Sequence, residues 1–94
     1  MGRRMRNVMI KAAGHFIEKD VFRQLEDVVT GTPADITDVE MYLPSLKGGI
    51  GMKYPSIVSF NLIARRIHVD VYYEKVMDIL TRNSCNVLYT SIED

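Results

Sequence analysis

The chain has 94 residues, 47% of them apolar and 26% charged, with 12 Lys and Arg set against 12 Asp and Glu. That length fits one domain, 1–94, around one modest core, and the composition excludes disorder. The zero net charge argues against a nucleic-acid coat, which needs a dominant basic surface; Arg3, Arg4 and Arg6 form the only basic cluster.

A single cysteine, Cys85, cannot close an internal disulfide, which suits a reducing compartment. No apolar run approaches the roughly 18–20 residues of a membrane span, and no signal peptide is evident. A cytoplasmic protein with no membrane partner is the expectation.

Val8 to Ala13 reads as the first strand, stopped by Gly14. From about Glu18 to Thr30, the residues Ile17, Val21, Phe22, Leu25, Val28 and Val29 draw one helical stripe. Glu18 and Asp20 fall in its first turn, where the helix dipole favours negative charge. Gly31 and Pro33 end it, glycine by taking the left-handed cap.

Val39, Met41 and Leu43 alternate with Asp38, Glu40 and Tyr42, the period of a strand with one wet face. The segment 44–55 then carries three glycines and two prolines and reads as a long mobile loop between strands. In 56–71 the apolar residues Val58, Phe60 and Leu62 fall on even numbers, and Ile67, Val69 and Val71 on odd ones. One strand with a bulge near Ala64-Arg65, two strands with a turn there, or a short helix over 56–66 would each account for this; the β-branched content favours strand. Tyr72 to Asn83 reads as the second helix, with Tyr73, Val76, Met77, Ile79 and Leu80 inward, and Asn86 to Ile92 as the last strand. Two helical stripes need one sheet face to bury against. The order therefore implies an α+β fold: a ferredoxin-like βαββαβ sandwich, with a four-stranded antiparallel sheet and two helices on one face. The other face stays bare, and a bare apolar sheet face on so small a chain calls for a partner, often another copy.

Among candidate sites, the loop Lys47-Gly48-Gly49-Ile50-Gly51-Met52-Lys53-Tyr54 comes first. Glycines let backbone N–H groups turn toward an anion, and the two lysines bracket them with positive charge. It lacks both the Walker ending and the strand-to-helix setting of a dinucleotide fingerprint. Arg65 and Arg66, on opposite strand faces, put one guanidinium within reach of a phosphate or carboxylate. His68 and Asp70 would share a strand face but are too few for a metal site. Cys85 reads as a small buried hydrophobe and His15 as a structural residue. Glu18, Asp20, Glu26 and Asp27 form a solvated face. Tyr72, Tyr73 and Tyr89 could stack on bases, yet Asp70 and Glu74 stand nearby in place of basic residues. No nucleophile–base motif is legible, so no enzyme and no cofactor are expected.

Val8-Met9-Ile10-Lys11 with Glu18-Lys19-Asp20-Val21, the long loop from Pro44 to Pro55, Arg66-Ile67-His68-Val69-Asp70-Val71 and Asn86-Val87-Leu88-Tyr89-Thr90 together resemble the PII signal-transduction superfamily. The ACT regulatory domains share this layout. The PII resemblance implies a trimer first, with a dimer the second choice. It also implies an effector bound in clefts between subunits, lined here by Lys47, Gly48, Gly49, Gly51, Lys53 and Arg66, and a signal passed to a protein partner through the 44–55 loop. Only Asn83-Ser84-Cys85 stands where that family has a glycine-rich loop, and no basic segment closes the chain, so the usual nucleotide is not implied. The reading is a small regulatory protein that binds an anionic effector. The alternative is an assembly module with no small-molecule ligand.

Overall fold

The computed structural model describes residues 4–43 and 55–93. The elements run β1 (Met5–Gly14), α1 (Val21–Val29), β2 (Asp35–Tyr42), β3 (Ser56–Arg65), α2 (Val69–Arg82) and β4 (Asn86–Glu93). The four strands form one sheet in the order β2-β3-β1-β4, and every neighbouring pair is antiparallel. The fold is the ferredoxin-like α+β sandwich that the element order implies.

Period-two alternation builds the core. Val8, Ile10 and Ala12 of β1 and Val58, Phe60, Leu62 and Ala64 of β3 are buried against the helices. The helices answer with Val21 and Leu25 from α1 and Val69, Val76, Ile79 and Leu80 from α2. The opposite face is mixed rather than bare and apolar. One row across it reads Thr37, Asn61, Met9, Ser91 and the next Glu40, Ser59, Lys11, Tyr89. Exposed Met5, Met9, Tyr42, Ile57 and Tyr89 share that face with the polar side chains, so it is less uniformly apolar than expected.

β3 is one continuous strand paired with β1 over its whole length, without a bulge near Ala64-Arg65. It ends at Arg65, a turn follows, and α2 starts at Val69. The apparent strand Ile67-Val69-Val71 is therefore a turn and a helix start. The three do not share a face, since Ile67 is 71% exposed, Val69 buried and Val71 exposed. Yet Val69, Tyr73, Val76 and Leu80 make one helical stripe, and burial of that stripe outweighs the β-branched preference.

The helix of 18–30 is shorter at its start. Residues 16–20 form turns, Val21 N bonds Phe16 O at 2.9 Å, and Asp20 holds the N-cap at φ 54°, so no acidic residue stands in the first helical turn. Phe16 is fully buried here, 5.4 Å from the Phe22 ring, whereas Ile17 is exposed. At the other end Gly31, at φ 76°, follows the C-cap Thr30, as the glycine implies. Asn83 caps α2 and also clasps the two helices. Its Nδ2 donates to Gln24 Oε1 at 2.9 Å and Ile79 O at 2.8 Å, while Lys19 Nζ donates to Asn83 O at 3.0 Å.

Two bulges do occur, both on edge strands. In β2 the register shifts between Thr37 and Glu40, with Asp38 at φ 54°. In β4 it shifts opposite Lys11 and Ala12, leaving Leu88 without a counterpart. The β2 bulge breaks the expected Val39-Met41-Leu43 alternation: Ile36 and Met41 pack on the core and Val39 stands half exposed.

Candidate functional site: a cleft between the first helix and an edge strand

α1 lies over the β2 side of the sheet but does not close on it. The gap is an open cleft of about 360 Å³, walled by Phe22, Leu25 and Val29 from α1, Ile36 and Val39 from β2, and Phe60 from β3. Glu26 and Asp35 stand on its rim. Such a volume lies at the lower end for small-molecule sites, which are apolar hollows with a few polar groups at the mouth.

The bulge shapes this cleft. Asp38 takes the left-handed conformation that Asp tolerates better than most residues. Its carboxylate then accepts from Asn61 Nδ2 at 2.8 Å and Thr37 Oγ1 at 3.1 Å, locking the bulge to β3. Bulges of this kind re-aim side chains. Below the bulge, Tyr42 Oη donates to Glu40 Oε2 at 2.5 Å. That bond, and then the charge of the carboxylate, hold the Tyr42 phenol above the ordinary tyrosine range.

The residues singled out in the sequence fall into separate places. Lys47, Gly48, Gly49, Gly51, Lys53 and Tyr54 lie outside the described residues. Their segment is rooted at Leu43 and Pro55, beside Ser56 at the start of β3. Arg65 ends the same strand, nine residues further on, which is about 30 Å at strand rise. Arg66 lies just beyond, in the turn, its N–H bonded to Arg4 O at 2.9 Å. On one chain, then, the arginines and the loop's roots stand at opposite ends of the sheet.

His68 is the N-cap residue of α2 and Asp70 lies in that helix's first turn, so they do not share a strand face. Among the described residues no group of three or more His, Cys, Asp or Glu is placed to hold a metal. Tyr72 and Tyr73 pack on the core from α2, whereas Tyr89 faces away on the open side of β4, so the three make no common stacking platform. His15 is half buried, with Nδ1 3.5 Å from Glu18 Oε2, an ion pair only when the ring is protonated.

Cys85 immediately precedes β4 and is half buried. Burial pushes its thiol above the ordinary range, with Lys19 pulling weakly the other way, the wrong direction for a reactive thiolate. The cleft itself escaped sequence reasoning. Phe22, Leu25 and Val29 read as core stripe, and only the change from even-numbered Ile36 to odd-numbered Val39 and Met41 could have hinted at a bulge.

Fold and cleft together define an α+β domain of ferredoxin-like type with a small apolar hollow at one sheet edge. No helix among the described residues is long and apolar enough to cross a membrane. No family model and no curated protein matches the chain. Among solved structures it is similar to a DUF3240 family protein from Shewanella baltica OS155, at 11% identity and a TM-score of 0.47, over 95% of this chain and 88% of that one. A likeness at that level says nothing about function.

Proposed function

We propose that this chain is a small non-catalytic regulatory module that binds an effector in the cleft between α1 and β2. The observation that carries the reading is the cleft itself, with six apolar walls, two carboxylates on the rim and a strained bulge shaping one side. The arrangement favours a ligand with an apolar body and a neutral or cationic end. An anionic effector, as the loop's glycines and lysines suggest, would meet Glu26 and Asp35 at this mouth and would need the 44–55 loop instead. The resemblance to the PII superfamily supports a regulatory role of either kind. A second reading, an assembly module, is favoured by the exposed edge strand β4.

A thermal-shift series separates these ligands, because a molecule that binds only the native state stabilises it. Hydrophobic amines are expected to raise the melting temperature by a few degrees at saturation, and nucleotides and anionic metabolites to leave it unchanged. Val39→Lys, which places a long cationic side chain in the cleft, is expected to abolish the shift while the fold persists. Stabilisation by anions alone would move the site to the loop. No stabilisation by either class would leave the assembly reading.

A further inference from the structure

We propose that β4 is a self-pairing edge: β4 of one chain aligns antiparallel with β4 of a second copy, joining two four-stranded sheets into one of eight strands. β4 stands at the end of the sheet and, among the described residues, pairs with β1 alone. It is eight residues long, and every one except Ser91 is exposed. An edge strand presents a row of unpaired N–H and C=O groups, which natural proteins guard with charge, proline, bulges or brevity. From Asn86 to Glu93 there is no lysine, arginine or proline and one charge, Glu93, at the very end. Its apolar residues Val87, Leu88, Tyr89 and Ile92 are all exposed. The one bulge leaves the ladder from Tyr89 to Glu93 regular.

Charge decides which strand of a second copy fits. Pairing β4 with the other edge would set Glu93 against a strand carrying Asp35, Asp38 and Glu40, and β2 is bulged at its middle. That contact would also be head-to-tail and would not close. Pairing β4 with β4 is isologous and closes as a dimer. A two-fold axis at Thr90 centres the ladder on the regular part of the strand, which the bulge at Leu88 leaves intact from Tyr89 onward. It matches faces at the centre, with Thr90 opposite Thr90 and Tyr89 opposite Ser91, and leaves the two Glu93 residues about 20 Å apart, beyond effective repulsion at physiological salt.

The helix side of β4 fits the same arrangement. Ile92 is 64% exposed beside a hollow of about 180 Å³ between β4 and the start of α2, lined by Val8, Val69, Tyr73 and Thr90 together with Arg6 and Asp70. In the pair, Ile92 lies across from the partner's Leu88 and gains apolar cover. The inference does not rest on the effector cleft, which lies at the opposite edge and stays open in such a dimer.

The test is the solution mass of the whole chain by sedimentation. At tens of micromolar the protein is expected at twice the chain mass of 10.8 kDa. Tyr89→Lys and Ile92→Lys are each expected to bring it to the monomer with an unchanged circular dichroism spectrum. Tyr42→Lys matches Tyr89→Lys in residue type and exposure, 54% against 52%, but sits on β2 and is expected to leave the dimer intact. In a Cys85→Ser background, Thr90→Cys is expected to oxidise to a symmetric disulfide, since opposed residues in an antiparallel pair come within disulfide reach. A monomer, a trimer of the kind the PII resemblance implies, or a dimer lost through Tyr42→Lys and kept through Tyr89→Lys would each overturn the proposal.

Discussion

β2 and β4 are both eight residues long and both paired on one side, yet their chemistry differs throughout. β2 carries Asp35, Asp38 and Glu40, a left-handed residue and a two-residue bulge bonded to Asn61. β4 carries Glu93 alone, with four exposed apolar side chains. The first edge resists another strand and opens a cleft toward α1, while the second presents an extended ladder. The contrast teaches that one small sheet can divide its work between its edges. In the proposed reading the guarded edge serves a ligand and the unguarded edge a second copy.

That division can be strained at each edge in turn. The largest effect is expected where the chain turns into β4. Gly14 ends β1, and a Cβ there would lie 2.5 Å from Cys85 Sγ and 3.3 Å from Cys85 Cα, immediately before β4 begins. Backbone as well as side chain must shift, so Gly14→Ala is expected to cost about 1–3 kcal/mol in urea unfolding. Gly14→Ala with Cys85→Ala should recover part of this, and no recovery would show the clash lies elsewhere.

A smaller loss is expected at the guarded edge. Asp38→Ala keeps the left-handed backbone without the carboxylate that holds Asn61 and Thr37, and is expected to cost about 1–2 kcal/mol. Asp38→Asn, which tolerates the same φ, should cost less than alanine. Equal losses would mean that the bulge does not depend on a side chain suited to that conformation.

The smallest effect is spectroscopic. The Tyr42 phenol is held up by Glu40, so in the folded chain it should titrate above an ordinary tyrosine, and Glu40→Gln should bring it down. A raised folded value means the Tyr42–Glu40 contact contributes below the ordinary tyrosine pKa and is lost as pH rises through the folded one. Tyr42 is exposed, so the readout is its ultraviolet titration rather than stability. A Glu40→Gln variant whose Tyr42 titrates unchanged would refute the coupling.

Much of the fold was legible because burial leaves a period. Val8, Ile10 and Ala12, then Val58, Phe60 and Leu62, alternate as strands must, and Val21 to Val29 and Val76 to Leu80 fall on helical stripes. Gly31 marked the first helix's end and Asn83 the second's, each through local chemistry that needs no distant contact. These signals, with the order strand, helix, strand, strand, helix, strand, sufficed for the ferredoxin-like sandwich.

What only the tertiary structure decided lies where local preference and packing disagree. Val69 is β-branched in an alternating run, and it became helical because burying it in the inward stripe of α2 stabilises more than its strand preference. Asp38 and Val39 alternate with their neighbours in sequence, but pairing with β3 forced a bulge between them, and that bulge shaped the cleft. Arg65 and the loop's roots were read as one site, whereas a straight ten-residue strand holds them at opposite ends of the sheet. Sequence periodicity reports which residues are buried. Which edge is open, and which side chains meet across the sheet, depends on strand order and register, and those are fixed only when the strands pair.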